Sequence, residues 1–271
     1  MSVKKNPSGS RSVQVEVEVP GTPEQVWEAI ATGPGISSWF VPTELDGRVG
    51  GKMVCHFAPG MDSDATITAW EPPHRLTAES KDFAPGGPPM ATEWTVEARA
   101  GGTCLVRVVH SLFASTDEWD DQLEGAETGW SAFFRILHLY LEHFRGQPSA
   151  MFMVTGFGPG PVSAAWEKLT RSLGLGIVPV GQQQSSGNGA PAITGRVEAA
   201  HEGPHPFKLL LLDQPAPGAA FMGICPMGDQ VFASLTFYLY GKTAADAAKE
   251  NEPVWKAWMD QHYGAAPAVG A

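Results

Sequence analysis

The sequence predicts an α+β protein of two tandem domains, each a curved antiparallel sheet wrapped on a long C-terminal helix. Three observations predict it: apolar residues alternating with a period of two between Gly-rich turns, a long helical apolar face closing each half, and three ordered echoes between the halves. The chain has 271 residues, 43% of them hydrophobic, enough to build a core in each of two ordinary domains.

The first half opens with an alternating strand, in which Val13, Val15, Val17 and Val19 face one way and Gln14, Glu16 and Glu18 the other. A helix follows. Thr22 is its N-cap, Pro23 takes the first helical position and Gln25 completes a capping box. Ser37 to Phe40 reads as a short helical turn. Strands are expected at 52–57, 65–70, 75–80, 92–99 and 104–113, with Gly50-Gly51 and Gly101-Gly102 as hairpin signals. From about Asp117 to Arg145 the pattern is helical, and Trp130, Phe133, Phe134, Leu137, Leu141 and Phe144 make one apolar face. A strand meander closed by one amphipathic helix gives two layers, and a strongly bent sheet leaves an apolar hollow beneath that helix.

The second half repeats this order. Trp27-Glu28 is echoed by Trp166-Glu167, Trp70-Glu71-Pro72-Pro73-His74 by Ala200-His201-Glu202-Gly203-Pro204-His205, and Trp130 by Trp255. Strands are expected at 151–155, 194–200, 207–212, 219–224 and 231–240. Gly181 to Gly189 reads as a flexible polar loop. The last helix opens at Thr243 with Asp246 as a capping pair, and Pro253 should kink it near Glu252. The domains are therefore expected at 12–147 and 148–264, the second a degenerate copy, with flexible tails at 1–11 and 265–271.

Eighteen basic and 29 acidic residues give a net charge of −11, which argues against nucleic acid and anionic membrane surfaces as partners. No run of about eighteen apolar residues predicts a membrane span, and the polar N-terminus lacks a secretory apolar segment. Cys55, Cys104 and Cys225 are widely spaced, which fits a reducing cytoplasm. The expected assembly is a monomer with an internal pseudo-dimer, or a homodimer.

Residues 12 to 145 resemble the helix-grip (SRPBCC, START-like) superfamily, and within it the branch of homologues of the activator of a heat-shock chaperone ATPase. The resemblance rests on Pro23-x-x-Val26-Trp27, Trp39-Phe40-x-Pro42, Gly50-Gly51, Glu71-Pro72, Glu93-Trp94-Thr95-Val96, Gly102-Thr103, Val109-His110 and Gly129-Trp130. It implies a fold that binds hydrophobic ligands, with Trp39 and Phe40 edging the cavity mouth. The second half keeps only fragments of the pattern.

His110 shares strand parity with Cys104, Val106, Val108 and Leu112, so it should face the interior and meet a ligand's polar end, or else a backbone partner. Trp94 and Val96 on one strand, and Met53, Cys55 and Phe57 on another, should line the cavity, with Phe133, Phe134 and Leu137 closing it; plain core packing is the alternative for each. His201-Glu202-Gly203-Pro204-His205 spells a zinc-protease motif, but Gly203 and Pro204 oppose the helix that motif needs, so a turn is expected there. No metal, cofactor or catalytic set is predicted. The expected function is binding of a small hydrophobic or amphipathic molecule in the first domain. The alternatives are a cyclase- or hydrolase-type enzyme using His110, and a chaperone-associated interaction protein.

Overall fold

The computed structural model describes residues 3–5, 9–58, 61–82, 86–114 and 116–264, and the chain divides into two compact units, Met1–Arg145 and Gly146–Ala271. The first unit contains β1 (Lys4–Lys5), β2 (Arg11–Pro20), α1 (Pro23–Ile30), α2 (Gly33–Ser37), β3 (Thr43–Leu45), β4 (Lys52–Ala58), β5 (Met61–Glu71), β6 (Arg75–Ser80), β7 (Met90–Arg99), β8 (Thr103–Leu112) and α3 (Asp120–Leu139), which runs on into one π turn, Tyr140–Phe144. The sheet order is β1-β2-β8-β7-β6-β5-β4-β3, every pair antiparallel.

Local chemistry explains the elements that position the site. Thr22 and Gln25 form a reciprocal capping box at α1, with Pro23 at its first position. In β8, burial alternates strictly, placing Cys104, Val106, Val108, His110 and Leu112 inward. Gly50 sits at φ +80°, and a side chain at Gly51 would put its Cβ 2.0 Å from the Asp46 carbonyl oxygen, so both glycines of the turn are required.

Three first-unit expectations need correction. The short helix lies one turn earlier than Ser37–Phe40, because Thr32 caps it by accepting from the Gly35 N–H at 3.0 Å. The fifth strand begins at Met61, not Ala65. Part of the 1–11 tail is structured: Lys4 and Lys5 pair with Ser12 and Arg11, and the buried Arg11 guanidinium pairs with Asp120 at the start of α3. The 265–271 tail lies outside the described residues.

The second unit contains β9 (Ser149–Pro159), α4 (Val162–Leu173), β10 (Gln183–Ser185), β11 (Thr194–His201), β12 (Phe207–Gln214), β13 (Gly218–Met227), β14 (Gln230–Tyr240) and α5 (Ala244–His262). Its sheet order, β10-β11-β12-β13-β14-β9, reproduces β4-β5-β6-β7-β8-β2 strand for strand. The supposed polar loop is not irregular throughout, since Gln183–Ser185 pairs with Thr194–Arg196. Helix α5 continues through Pro253, where Lys249 and Glu252 to Val254 are exposed and water can take the carbonyl the proline leaves free. Thr243 makes no side-chain cap bond, because its backbone (φ −98°, ψ 1°) is not in the extended conformation that capping needs. No helix among the described residues is long and apolar enough to cross a membrane.

Candidate functional site

In the first unit, a cavity of about 100 Å³ lies between the concave sheet face, α2 with the residues after it, and α3. Its aromatic side is a box. Trp130 from α3 stacks on Phe40 (5.0 Å, 22°) and meets Trp94 edge-on at 4.9 Å, while Trp39 lies 6.2 Å from Trp94. Trp39 is held by donating its indole N–H to the Ala29 carbonyl at 2.9 Å. Phe57, 37% exposed, stands where the cavity meets solvent.

The opposite wall is polar and comes from four adjacent strands: Ser63 on β5, Ser80 on β6, Thr92 on β7 and His110 on β8. His110 is 6% exposed, and burial pushes its pKa down to about 4, so the imidazole is neutral at pH 7. Trp130 donates its indole N–H to His110 Nε2. Because an indole nitrogen only donates, Nε2 must be the bare nitrogen, and the ring proton sits on Nδ1. Nδ1–H then donates to Thr92 Oγ1 at 2.9 Å. Both ring nitrogens are engaged, which leaves no lone pair free to take a proton from a substrate. Ser80 differs: its Oγ is buried and has no hydrogen-bond partner among the described residues.

Of the residues expected at the cavity, Trp39, Phe40, Met53, Cys55, Phe57, Trp94 and His110 line it. Trp39 and Phe40 are buried rather than at the mouth. Val96 and Val108 do not line it; two residues beyond Trp94 and His110 on their strands, they are packed into the core at 3% and 1% exposure. Phe133, Phe134 and Leu137 are not lining either, because the larger ring of Trp130, one turn earlier on α3, covers the hollow, and Phe133 packs behind it on Phe40 at 4.6 Å. Cys55 is an unreactive wall residue: burial pushes its thiol pKa up, and Thr43 Oγ1 lies 3.5 Å from its sulfur. Sequence reasoning missed Trp130, Ser63, Ser80 and Thr92 at the site. Strand parity with Ile67, Leu76 and Trp94 carried the signal for the last three.

The second unit answers three of the four polar positions with apolar ones. Pairing of β7 with β8 and of β13 with β14 aligns Thr92 with Ala220 and His110 with Phe237, and pairing of β6 with β7 and of β12 with β13 aligns Ser80 with Leu212. Trp255, the counterpart of Trp130, packs on Phe237 at 4.9 Å, and its indole N–H has no partner among the described residues. Leu212, Ala220, Phe237 and Trp255 all belong to that unit's buried core. A larger space of about 780 Å³ exists in this unit, a solvent-open groove lined by Trp166, Glu202 and Lys208. Its lysine is committed: Lys208 Nζ donates to the Leu175 and Gly176 carbonyls and to Gln184 Oε1, using all three hydrogens. His201 ends β11, paired with Phe207, Glu202 to Pro206 form the turn to β12, and Glu202 accepts from the Trp166 indole at 3.0 Å.

Comparison with known proteins places this architecture. Residues 20–142 match the family described as activator of Hsp90 ATPase homolog 1-like protein. No curated protein matches the chain. Among solved structures, the di-domain ARO/CYC BexL from the BE-7585A biosynthetic pathway is 14% identical with a TM-score of 0.45, covering 95% of this chain and 100% of that one. CalU16 from Micromonospora echinospora is 22% identical with a TM-score of 0.42, over 52% of this chain and 83% of that one. The Aha1 dimer from Colwellia psychrerythraea is 20% identical with a TM-score of 0.41, over 49% of this chain and 96% of that one. Residues 20–142 of the first unit are thus similar to the activator of Hsp90 ATPase homolog 1-like family.

Proposed function

We propose that the protein binds a small, mostly apolar molecule in the first-unit cavity, between the concave sheet and α3. The observation that carries this reading is the contrast between the units. Where the second unit fills its interior with Leu212, Ala220, Phe237 and Trp255, the first keeps a hollow with aromatic walls and a polar side. Emptiness costs stability, so a hollow with specific polar groups is better explained by a guest than by packing. The volume of about 100 Å³ suits a single small ring. The unbranched side chains of Met53 and Met90 are the parts of the wall best able to yield to a larger body. Three free cysteines fit a reducing compartment, and the cytoplasm is part of this proposal.

Native mass spectrometry of the full chain, purified without detergent, tests the reading. A small-molecule adduct is expected in the wild type and should be lost in Ala78→Phe, whose ring would occupy the cavity. Circular dichroism checks that the variant folds. An adduct retained by a folded Ala78→Phe, or a wild-type protein that takes up no apolar ring compound, would refute it.

A further inference from the structure

The hydrogen bonds of the polar wall have a direction, and that direction specifies the guest. Trp130 gives its hydrogen to His110, and His110 gives its own to Thr92. Oγ1 of Thr92 is therefore already an acceptor. Its own hydrogen is left over, and no acceptor for it appears among the described residues. On the neighbouring strand, Ser80 Oγ has no partner among the described residues, although the residue is only 7% exposed. Both side chains line the cavity. Ser80 is opposite Met90, and Thr92 is two residues further along β7, so the two hydroxyls belong to diagonal neighbours about 7–8 Å apart at the backbone. Buried hydroxyls without partners are costly, and the second unit avoids that cost by placing Leu212 and Ala220 at these positions. Among the described residues, no charged side chain lines the cavity.

We propose that the guest is an uncharged molecule with a carbonyl-type hydrogen-bond acceptor, which takes the hydrogens of Ser80 and Thr92 while its apolar body lies against Trp94 and Trp130. The proposal rests on the cavity-binding reading and narrows it to a ligand class. A ketone or ester oxygen satisfies the wall. A pure hydrocarbon leaves two hydroxyls buried and unpaired. A carboxylate would be desolvated with no cation to meet it.

The test uses the full chain and three probes of similar size: cyclohexanone, methylcyclohexane and cyclohexanecarboxylate. Binding is followed by NMR on the Trp94 and Trp130 indole N–H signals. Ser80→Ala is the primary variant, because it breaks no bond within the protein. It should weaken cyclohexanone about tenfold, the worth of one hydrogen bond, and leave methylcyclohexane unchanged. Thr92→Val, the second variant, should do the same, and cyclohexanecarboxylate should bind at least tenfold more weakly than cyclohexanone. If both neutral probes bind and neither variant separates them, or if the carboxylate binds as well as the ketone, the acceptor assignment is wrong and the cavity reading stands. Binding of methylcyclohexane alone overturns the assignment too. If none of the three binds, both proposals fall.

Discussion

Acidification should destabilise the first unit through His110, and by an amount that can be worked out. In the unfolded chain the imidazole titrates at its ordinary 6.5; in the folded unit, burial moves it down to about 4. Between those values the unfolded chain binds a proton that the folded unit refuses. The stabilisation tied to neutral His110 is therefore complete above about pH 6.5, shrinks as pH falls toward 4, and changes little below that. Between pH 7 and pH 4.5 the loss is about 2 kcal/mol. The geometry gives the reason: an imidazolium carries hydrogen on both nitrogens, which would aim Nε2–H at the indole N–H of Trp130. Urea titrations at pH 7 and 4.5, followed by NMR on the Trp130 indole and β8 amides, measure the effect in the wild type and in His110→Gln. Glutamine does not titrate, yet its carbonyl can still accept from Trp130. Pairing with Arg11 holds Asp120 below the usual carboxylate range, so it too loses stability on acidification, but equally in both proteins. The wild type should lose about 2 kcal/mol more than His110→Gln. Parallel losses in the two proteins would show that His110 is not a buried neutral imidazole and would remove the hydrogen-bond direction argued above.

Three further outcomes are expected. Lys208→Met should destabilise the second unit by about 2–3 kcal/mol in urea unfolding, since two carbonyls and Gln184 lose their donor; an unchanged midpoint would mean that water replaces the ammonium. Gly51→Ala should cost about 2 kcal/mol or more, measured as a lowered Tm of the first unit, because its Cβ would meet the Asp46 oxygen at 2.0 Å; wild-type stability would contradict that turn geometry. The double change Thr92→Ala/His110→Phe copies the second unit's core, and should cost less in urea unfolding than His110→Ala, which leaves a void of about 2–4 kcal/mol; the reverse order would show that the two cores are not equivalent.

The sequence carried the fold well where a single period dominated. The alternation from Cys104 to Leu112, the capping box at Thr22 and the echo of Trp27 in Trp166 all reflect interactions within a few residues or along one face. Strands of two or three residues, Lys4–Lys5, Thr43–Leu45 and Gln183–Ser185, were invisible because they are held by backbone bonds to a distant partner, and a period needs more residues to show itself. Arg11 looked like part of a loose polar tail because its partner, Asp120, is far away in the sequence. At the site, the apolar walls and His110 could be read from parity. Ser80 and Thr92 have the same inward parity, but a lone hydroxyl in a strand usually faces water, so it drew no notice. Their role depends on who donates to whom, which only side-chain geometry reveals.

The unpaired indole of Trp255 gives the duplication a physical reading. In the first unit the matching tryptophan spends its hydrogen on His110; in the second, Phe237 offers a ring face and no acceptor, and the N–H is buried without a partner among the described residues. Two such indoles, Trp255 and Trp258, lie in this core without a partner among the described residues, each at the cost of a buried, unsatisfied donor. At the positions of Ser80, Thr92 and His110 the second unit carries Leu212, Ala220 and Phe237, which add apolar burial. The first unit carries Ser80, Thr92 and His110 there, polar groups that weaken apolar packing. A Phe237→His variant tests whether Phe237 and Trp255 stand as His110 and Trp130 do. It should restore an acceptor for the Trp255 indole and shift that N–H signal downfield in NMR, even if apolar burial is lost. An indole signal that stays where it is would mean that the second core was never built to hold a histidine.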